Sequence, residues 1–527
     1  MARSSIAVSI RSRFVSLRRS SSTATLVLLA LACFACGVAA QDRPNVLFIL
    51  TDDQRWDTVG LEPQSVVATP HLDRLGREGL RFANHFCTTS LCSPSRASIL
   101  TGLYPHAHGV RDNFTEYPES LDTWPKALQR AGYRTAYFGK YHMGEVNDEV
   151  RGGFDRFVTH RGQGKYFDTE FRFDGGERRV VSGYYTSVVT DMAEAFVREQ
   201  ADGDRPWAMI VGHKAPHSFY VPEPKYEHAF DHVNVPYPPS AFELDDNAAW
   251  YRHRTATWHG IYGPLFDFRK EWPDRSAEGA EAFARMVRSY WGTILSVDDS
   301  VGRLVAALEQ TGQLERTLII FTSDNGLLEG EHGMIDKRTA HEPSMRIPLI
   351  VRLPQVRSAE PTERVDDRSA EAPRPRGVER MTSTVDFAPS ILEICGVAPI
   401  DGIHGRSWHR LALGHDDPAW RTSLYYAYDY ERQFPYTPNV RAVRTERWKL
   451  IRYPHGDSGP DRHKGDLFDL ASDPEERRNR IDDPELADLV GELDAELQRL
   501  QRQLGALPDR MPIDEGIGTE LPDASIR

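Results

Sequence analysis

Four apolar runs in this chain end on residues that can do chemistry. Asn45-Val46-Leu47-Phe48-Ile49-Leu50 leads into Thr51-Asp52-Asp53, and Thr317-Leu318-Ile319-Ile320-Phe321 leads into Thr322-Ser323-Asp324-Asn325. The run from Tyr133 to Phe138 is followed by Gly139-Lys140-Tyr141-His142, and Trp207 to Val211 by Gly212-His213-Lys214-Ala215-Pro216-His217. A further basic element, His332 to Arg338, lies shortly after Asn325. Asp and Asn are common in ordinary strand-end turns, so either acidic pair alone has a simple reading. In parallel α/β sheets, however, ligands bind beyond the carboxyl ends of the strands. If the first and last of these strands are neighbours, three carboxylates and a carboxamide converge there, and such a cluster repels itself unless a cation is present. An all-oxygen donor set suits Ca²⁺ or Mg²⁺ over zinc. Lys140 and His213 place cationic or proton-carrying groups at the same edge.

The most specific string is Cys92-Ser93-Pro94-Ser95-Arg96, running into Ala97-Ser98-Ile99-Leu100-Thr101-Gly102 and then Tyr104-Pro105-His106. A cysteine near a helix start is, taken alone, a small buried hydrophobe. The whole stretch resembles the maturation signature of the type I sulfatases, in which the cysteine is oxidised to formylglycine, an aldehyde whose hydrate is the nucleophile. The resemblance extends over roughly Asn45 to Leu470. It implies a metal site of Asp52, Asp53, Asp324 and Asn325 with the converted Cys92, holding one Ca²⁺ per chain in preference to Mg²⁺. It implies Arg96 as the arginine that stabilises the modified residue, and Lys140 and His142 as the Lys-x-His element. His213 and Lys337 match the family's later His and Lys, and a formylglycine-generating enzyme is the implied partner in maturation.

The chemistry that follows is hydrolysis of a sulfate ester, whose anionic oxygens repel nucleophiles. A divalent ion and an Arg/Lys cluster neutralise those oxygens and the charge that develops in the transition state. One hydroxyl of the hydrate attacks sulfur to give a covalent sulfo-enzyme. The second is deprotonated by His142, and the carbon expels sulfate. His213 and Lys337 are expected to protonate or stabilise the departing alcohol oxygen. The strings His213–His217, Gly162-Gln163-Gly164-Lys165-Tyr166-Phe167 and Asp336–Ser344 are most like glycan sulfatases of the N-acetylglucosamine-6-sulfatase or heparan type. Tyr425, Tyr426, Tyr428 and Tyr430 read as a sugar-site floor or as packing. One alternative is a formylglycine-dependent phosphonate or phosphodiester hydrolase. Another, of a different class, is a catalytically silent glycan-binding protein in which Cys92 stays unconverted.

The elements that must position these groups alternate. Helices are expected at His71–Gly79, Leu121–Ala131, Tyr184–Glu199 and Ala280–Gln310, between the four strands above and a short one at Pro348–Arg352. This is the pattern of an α/β, alkaline-phosphatase-like fold with a mostly parallel central sheet flanked by helices. Gln355 to Arg376 reads as an exposed loop. Beyond Pro418 the pattern changes. Arg441–Tyr453 alternates like a half-exposed strand, Asp466–Leu470 is another, and Glu485–Gln503 is an amphipathic helix. These form a smaller C-terminal antiparallel α+β subdomain. The expected division is 1–40 signal peptide, 41–415 catalytic domain, 416–510 C-terminal subdomain and 511–527 polar tail.

At 527 residues, 27% charged and 10% aromatic, the chain has ample material for such a core. Its first forty residues carry Arg3, Arg11, Arg13, Arg18 and Arg19, no acid, and an apolar run ending Val38-Ala39-Ala40. That is a secretory signal cleaved near Ala40, giving a secreted or periplasmic protein, and the run is too short for a comfortable membrane span. Removing those five arginines takes the formal charge from −13 to −18. An acidic exported protein is a poor partner for nucleic acid or anionic membrane. Only Cys87, Cys92 and Cys395 remain, so a disulfide framework is excluded and Cys87 and Cys395 are expected to be free and buried.

Overall fold

β1 (Asn45–Thr51) is buried along its whole length, which is why it reads as an almost unbroken apolar run. In this computed structural model the described residues are 43–243, 247–252, 275–355, 376–456 and 461–518. The leader through Ala40, nearly all of the expected Gln355–Arg376 loop and the end of the polar tail lie outside them. Nine further strands complete the central sheet. They are β2 (Leu80–Phe82), β3 (Arg134–Gly139), β4 (Arg156–Thr159), β5 (Phe167–Phe173), β6 (Arg178–Tyr184), β7 (Trp207–Gly212), β8 (Thr317–Ser323), β9 (Leu349–Arg352) and β10 (Arg376–Val378). Their order is β10-β2-β9-β8-β1-β7-β3-β4-β5-β6. The central run β8-β1-β7-β3-β4 is parallel throughout, as alternating strands and helices require.

Helices cover both faces. Val46, Phe48 and Leu50 pack with Trp124 of the helix Trp124–Arg130 and Phe387 of the helix Phe387–Ile394. Leu47 and Ile49 point the other way, against α1 (Pro70–Glu78) and two helices further along the chain. The strand period of two therefore serves two separate cores. With α2 (Cys92–Thr101) after α1, those two partners are α3 (Tyr185–Glu199) and the 34-residue α4 (Ala277–Gln310). α4 opens on a Ser276 side chain that accepts from the Gly279 amide.

The C-terminal region holds an antiparallel sheet of four strands in sequence order, β11 (Ser423–Tyr428), β12 (Val440–Thr445), β13 (Trp448–Arg452) and β14 (Asp466–Asp469). The single half-exposed strand expected over Arg441–Tyr453 is in fact the hairpin β12–β13. Thr445 Oγ1 closes its turn on the Trp448 amide. Both strands are largely buried because α5 (Ala487–Gln503) covers one face and residues around Phe86, Leu91 and Met345 the other. Tyr425, Tyr426, Tyr428 and Tyr430 are all buried, as the packing reading expects. The β5–β6 hairpin was not anticipated, because its many exposed charged residues mask strand alternation.

Candidate active site

β1 and β8 pair in parallel with Thr51 opposite Ser323, so the two acidic pairs leave adjacent strands at the same level. The Asp324 amide donates to Thr51 O at 3.1 Å, continuing the ladder one step past the strands. Asp53 then turns back with φ of 66°, a left-handed conformation that Asp tolerates better than most residues. Its amide donates to Asp324 Oδ1 at 3.1 Å, and Asn325 Nδ2 donates to Asp53 Oδ1 at 2.7 Å. Asp52, Asp324 and Asn325 are fully buried.

Cys92 is the first residue of α2 and is itself fully buried. The positive end of the helix dipole therefore faces the group attached there. Its sulfur lies 3.4 Å from Asp52 Oδ1, 2.9 Å from Lys337 Nζ and 4.0 Å from Lys140 Nζ. Burial, followed by the Asp52 charge, pushes the thiol well above its ordinary range despite both lysines. One turn along α2, Arg96 Nε donates to Asp324 Oδ2 at 2.8 Å, Nη1 donates to Lys140 O at 2.6 Å, and Nη2 stands 3.8 Å from Asp52 Oδ1.

Lys140 enters from the end of β3. Gly139, at φ 106°, allows the approach, since a Cβ there would lie 2.1 Å from Gly212 O. The Lys140 ammonium pairs with Asp52 and also reaches Gln163 Oε1. The Lys337 ammonium pairs with Asp53. Against the upward push of burial, Lys140 holds Asp52 well below the carboxylate range. Burial and then Asp52 push Asp324 up to about 7. Burial also raises Asp53, against the pull of Lys337. Two of the three carboxylates therefore resist ionisation among protein groups alone, and a cation would relieve them.

The donor set fits a hard divalent cation. Asp52, Asp53 and Asp324 supply carboxylate oxygens. The Asn325 Oδ1 atom is buried without a hydrogen-bond partner among the described residues. Atoms of Asp52, Asp53, Cys92 and His217 also lie within 4.8 Å of one another. Three buried cations, Arg96, Lys140 and Lys337, would balance the three carboxylates once all of these are ionised. A divalent ion would leave the pocket at +2, matched to an anionic substrate.

His142 is brought to the cluster, with Ser93 Oγ donating to its carbonyl at 2.6 Å. Its ring Nε2 lies 3.0 Å from Glu145 Oε2 and 3.3 Å from Gln163 Nε2. Burial, followed by Lys140, lowers its pKa to about 4. His213 is placed differently from the expectation. Its Nε2 faces Ser300 Oγ of α4 at 3.1 Å, away from the carboxylates, and Ser300 is in turn bonded by Thr190. His217 stands at the cluster, with Nε2 3.7 Å from Asp53 Oδ2. Ser218 O is 2.7 Å from its other ring nitrogen, and Tyr166 OH donates to its carbonyl at 2.6 Å. His217, Gln163 and Glu145 are residues at the site that the sequence reading did not select, although His217 and Gln163 lie in strings it quoted.

A family model for sulfatases matches residues 44–397, and one for the C-terminal region of N-sulphoglucosamine sulphohydrolase matches residues 330–503. The chain belongs to the sulfatase family, and its class of reaction is hydrolysis of sulfuric esters. It is 30% identical to an N-acetylglucosamine-6-O-sulfatase of Bacteroides thetaiotaomicron, over 92% of this chain and 91% of that protein. It is 30% identical to the human N-acetylglucosamine-6-sulfatase, over 78% of this chain and 72% of that one. Among solved structures, BT4656 in complex with its substrate D-glucosamine-2-N,6-O-disulfate superimposes with a TM-score of 0.77 and 29% identity, covering 90% of this chain and 99% of the other. No described helix is long and apolar enough to cross a membrane.

Proposed function

We propose that this chain is an exported sulfatase that removes the 6-O-sulfate of glucosamine units in a sulfated glycan. The observation that carries the reading is Cys92 at the head of α2, 2.9 Å from the Lys337 ammonium and 3.4 Å from the Asp52 carboxylate. The choice of sugar is supported by similarity to an N-acetylglucosamine-6-O-sulfatase over 91% of its length and to an N-acetylglucosamine-6-sulfatase over 72% of its length. The leader ending at Ala40 supports export to a secreted or periplasmic location.

In this reading Cys92 is converted to formylglycine by a formylglycine-generating enzyme. The hydrate offers two hydroxyls on one carbon, one to attack sulfur and one whose deprotonation expels sulfate and restores the aldehyde. Asp52, Asp53, Asp324 and Asn325 would hold Ca²⁺, which when bound would supply positive charge to the sulfate oxygens and to the attacking group. Arg96 and Lys140 hold the modified residue and the sulfate oxygens; Arg does so through its planar fork. His142 takes the proton that releases sulfate. Lys337 and His217, which flank Asp53, carry the role first assigned to His213 and Lys337, donating to or stabilising the departing alcohol oxygen.

The test is sulfate release from a panel of defined sulfated saccharides, with the mass of the Cys92 peptide measured on the same preparation. Glucosamine 6-O-sulfate should turn over fastest, and aryl sulfate should exceed aryl phosphodiester. Cys92→Ser should fold and lose multiple turnover. Full activity with the sulfur still in place would refute the aldehyde route.

A further inference from the structure

Two groups compete for one nitrogen of His142. Glu145 Oε2 lies 3.0 Å from Nε2, and Gln163 Nε2 lies 3.3 Å from the same atom. They ask for opposite ring states. A carboxylate only accepts, so it requires Nε2 to carry a hydrogen. The Gln163 amide has its oxygen turned to the Lys140 ammonium, which leaves its NH₂ facing the ring and asking Nε2 to be a bare acceptor. A charge-assisted bond is roughly twice as strong as a neutral one, and here it is also the shorter. The other ring nitrogen, Nδ1, is buried with no hydrogen-bond partner among the described residues.

We infer that Glu145 is a positioning residue that locks His142 in the Nε2–H tautomer, so that Nδ1 is the atom that accepts the proton during sulfate release. The inference rests on the base role given to His142 under Proposed function. The logic is that of a carboxylate that orients a catalytic imidazole and steadies the imidazolium once formed. When the hydroxyl proton arrives at Nδ1, both ring nitrogens carry hydrogen, and Nε2–H remains on Glu145. The proton later leaves Nδ1 for solvent, and the ring returns to its starting tautomer. Nothing in residue spacing marks Glu145, because its side chain is partly exposed and it lies past the Lys-x-His element.

The test is nitrogen-15 NMR of the full chain labelled at histidine, with the His142 signals assigned by their loss in His142→Asn. Wild type should show a protonated Nε2 and an unprotonated Nδ1. In Glu145→Ala only the Gln163 donor faces Nε2, so the hydrogen should move to Nδ1. The kcat should then fall on the order of 100-fold, the scale of a lost general base, while KM stays within about threefold. Glu145→Asp should recover part of both readouts, which a merely structural role would not require. A protonated Nδ1 in wild type, or an unchanged tautomer and kcat in Glu145→Ala, would overturn the inference. Retained sulfate turnover in His142→Asn would instead remove the base role itself, whatever the spectra show.

Discussion

Lys337 Nζ lies 2.9 Å from Cys92 Sγ while its ammonium also pairs with Asp53, so one cation ties the head of α2 to the acidic cluster. Replacing it with methionine keeps most of the volume and removes the charge. We expect Lys337→Met to lower kcat by roughly 10²–10³, the scale of losing one preorganised electrostatic contact. Steady-state sulfate release beside a thermal melt checks this, since unpairing buried Asp53 also costs about 3–5 kcal/mol of stability.

The two histidines of the His213–His217 string should separate cleanly. His217→Gln should lower kcat by at least about 10²-fold with little change in melting temperature, as expected of a proton donor. His213→Gln should do the reverse, losing about 1–3 kcal/mol by disturbing the buried bond to Ser300 while chemistry persists. Equal kcat losses in both variants would contradict this division.

Chelation should reduce turnover and melting temperature together, and added Ca²⁺ should restore both. At a free ion concentration of 100 times Kd, binding adds about 2.7 kcal/mol to stability. In Asp324→Asn that response should shrink, because one carboxylate oxygen is replaced by a weaker donor. Differential scanning calorimetry with and without Ca²⁺ reads this directly.

Asp466 offers a pH test away from the chemistry. It is buried, accepts from Tyr251 OH at 2.9 Å, from Tyr453 OH and from Asn479 Nδ2 at 2.7 Å, and burial raises it to about 6. The folded state therefore holds this proton more tightly than the unfolded chain. The resulting stabilisation is complete below pH ~4 and is lost as pH rises through 6. Denaturant titrations should show wild type losing about 2 kcal/mol relative to Asp466→Asn between pH 4 and 7. A pH-independent gap between the two would refute the assignment.

Much of this was legible from residue order. The buried strands announce themselves as apolar runs, and β1 and β8 deliver Asp52 and Asp324 side by side because their register is set by Thr51 opposite Ser323. Legibility failed where direction mattered more than type. His213 and His217 sit four residues apart in one string, and only the path of the loop after β7 sends the first toward α4 and the second toward Asp53. The pull of Gln163 and Glu145 on His142 was also hidden, since Glu145 in the loop after β3 and Gln163 in the loop after β4 gain meaning only when both loops meet over Lys140 and His142.

Cys92 has no solvent exposure in the folded chain. Any enzyme that rewrites this side chain has to reach it while the nascent polypeptide is still open. On the proposed formylglycine route, the host's timing of synthesis and transport, rather than catalytic geometry alone, would then set what fraction of molecules becomes active.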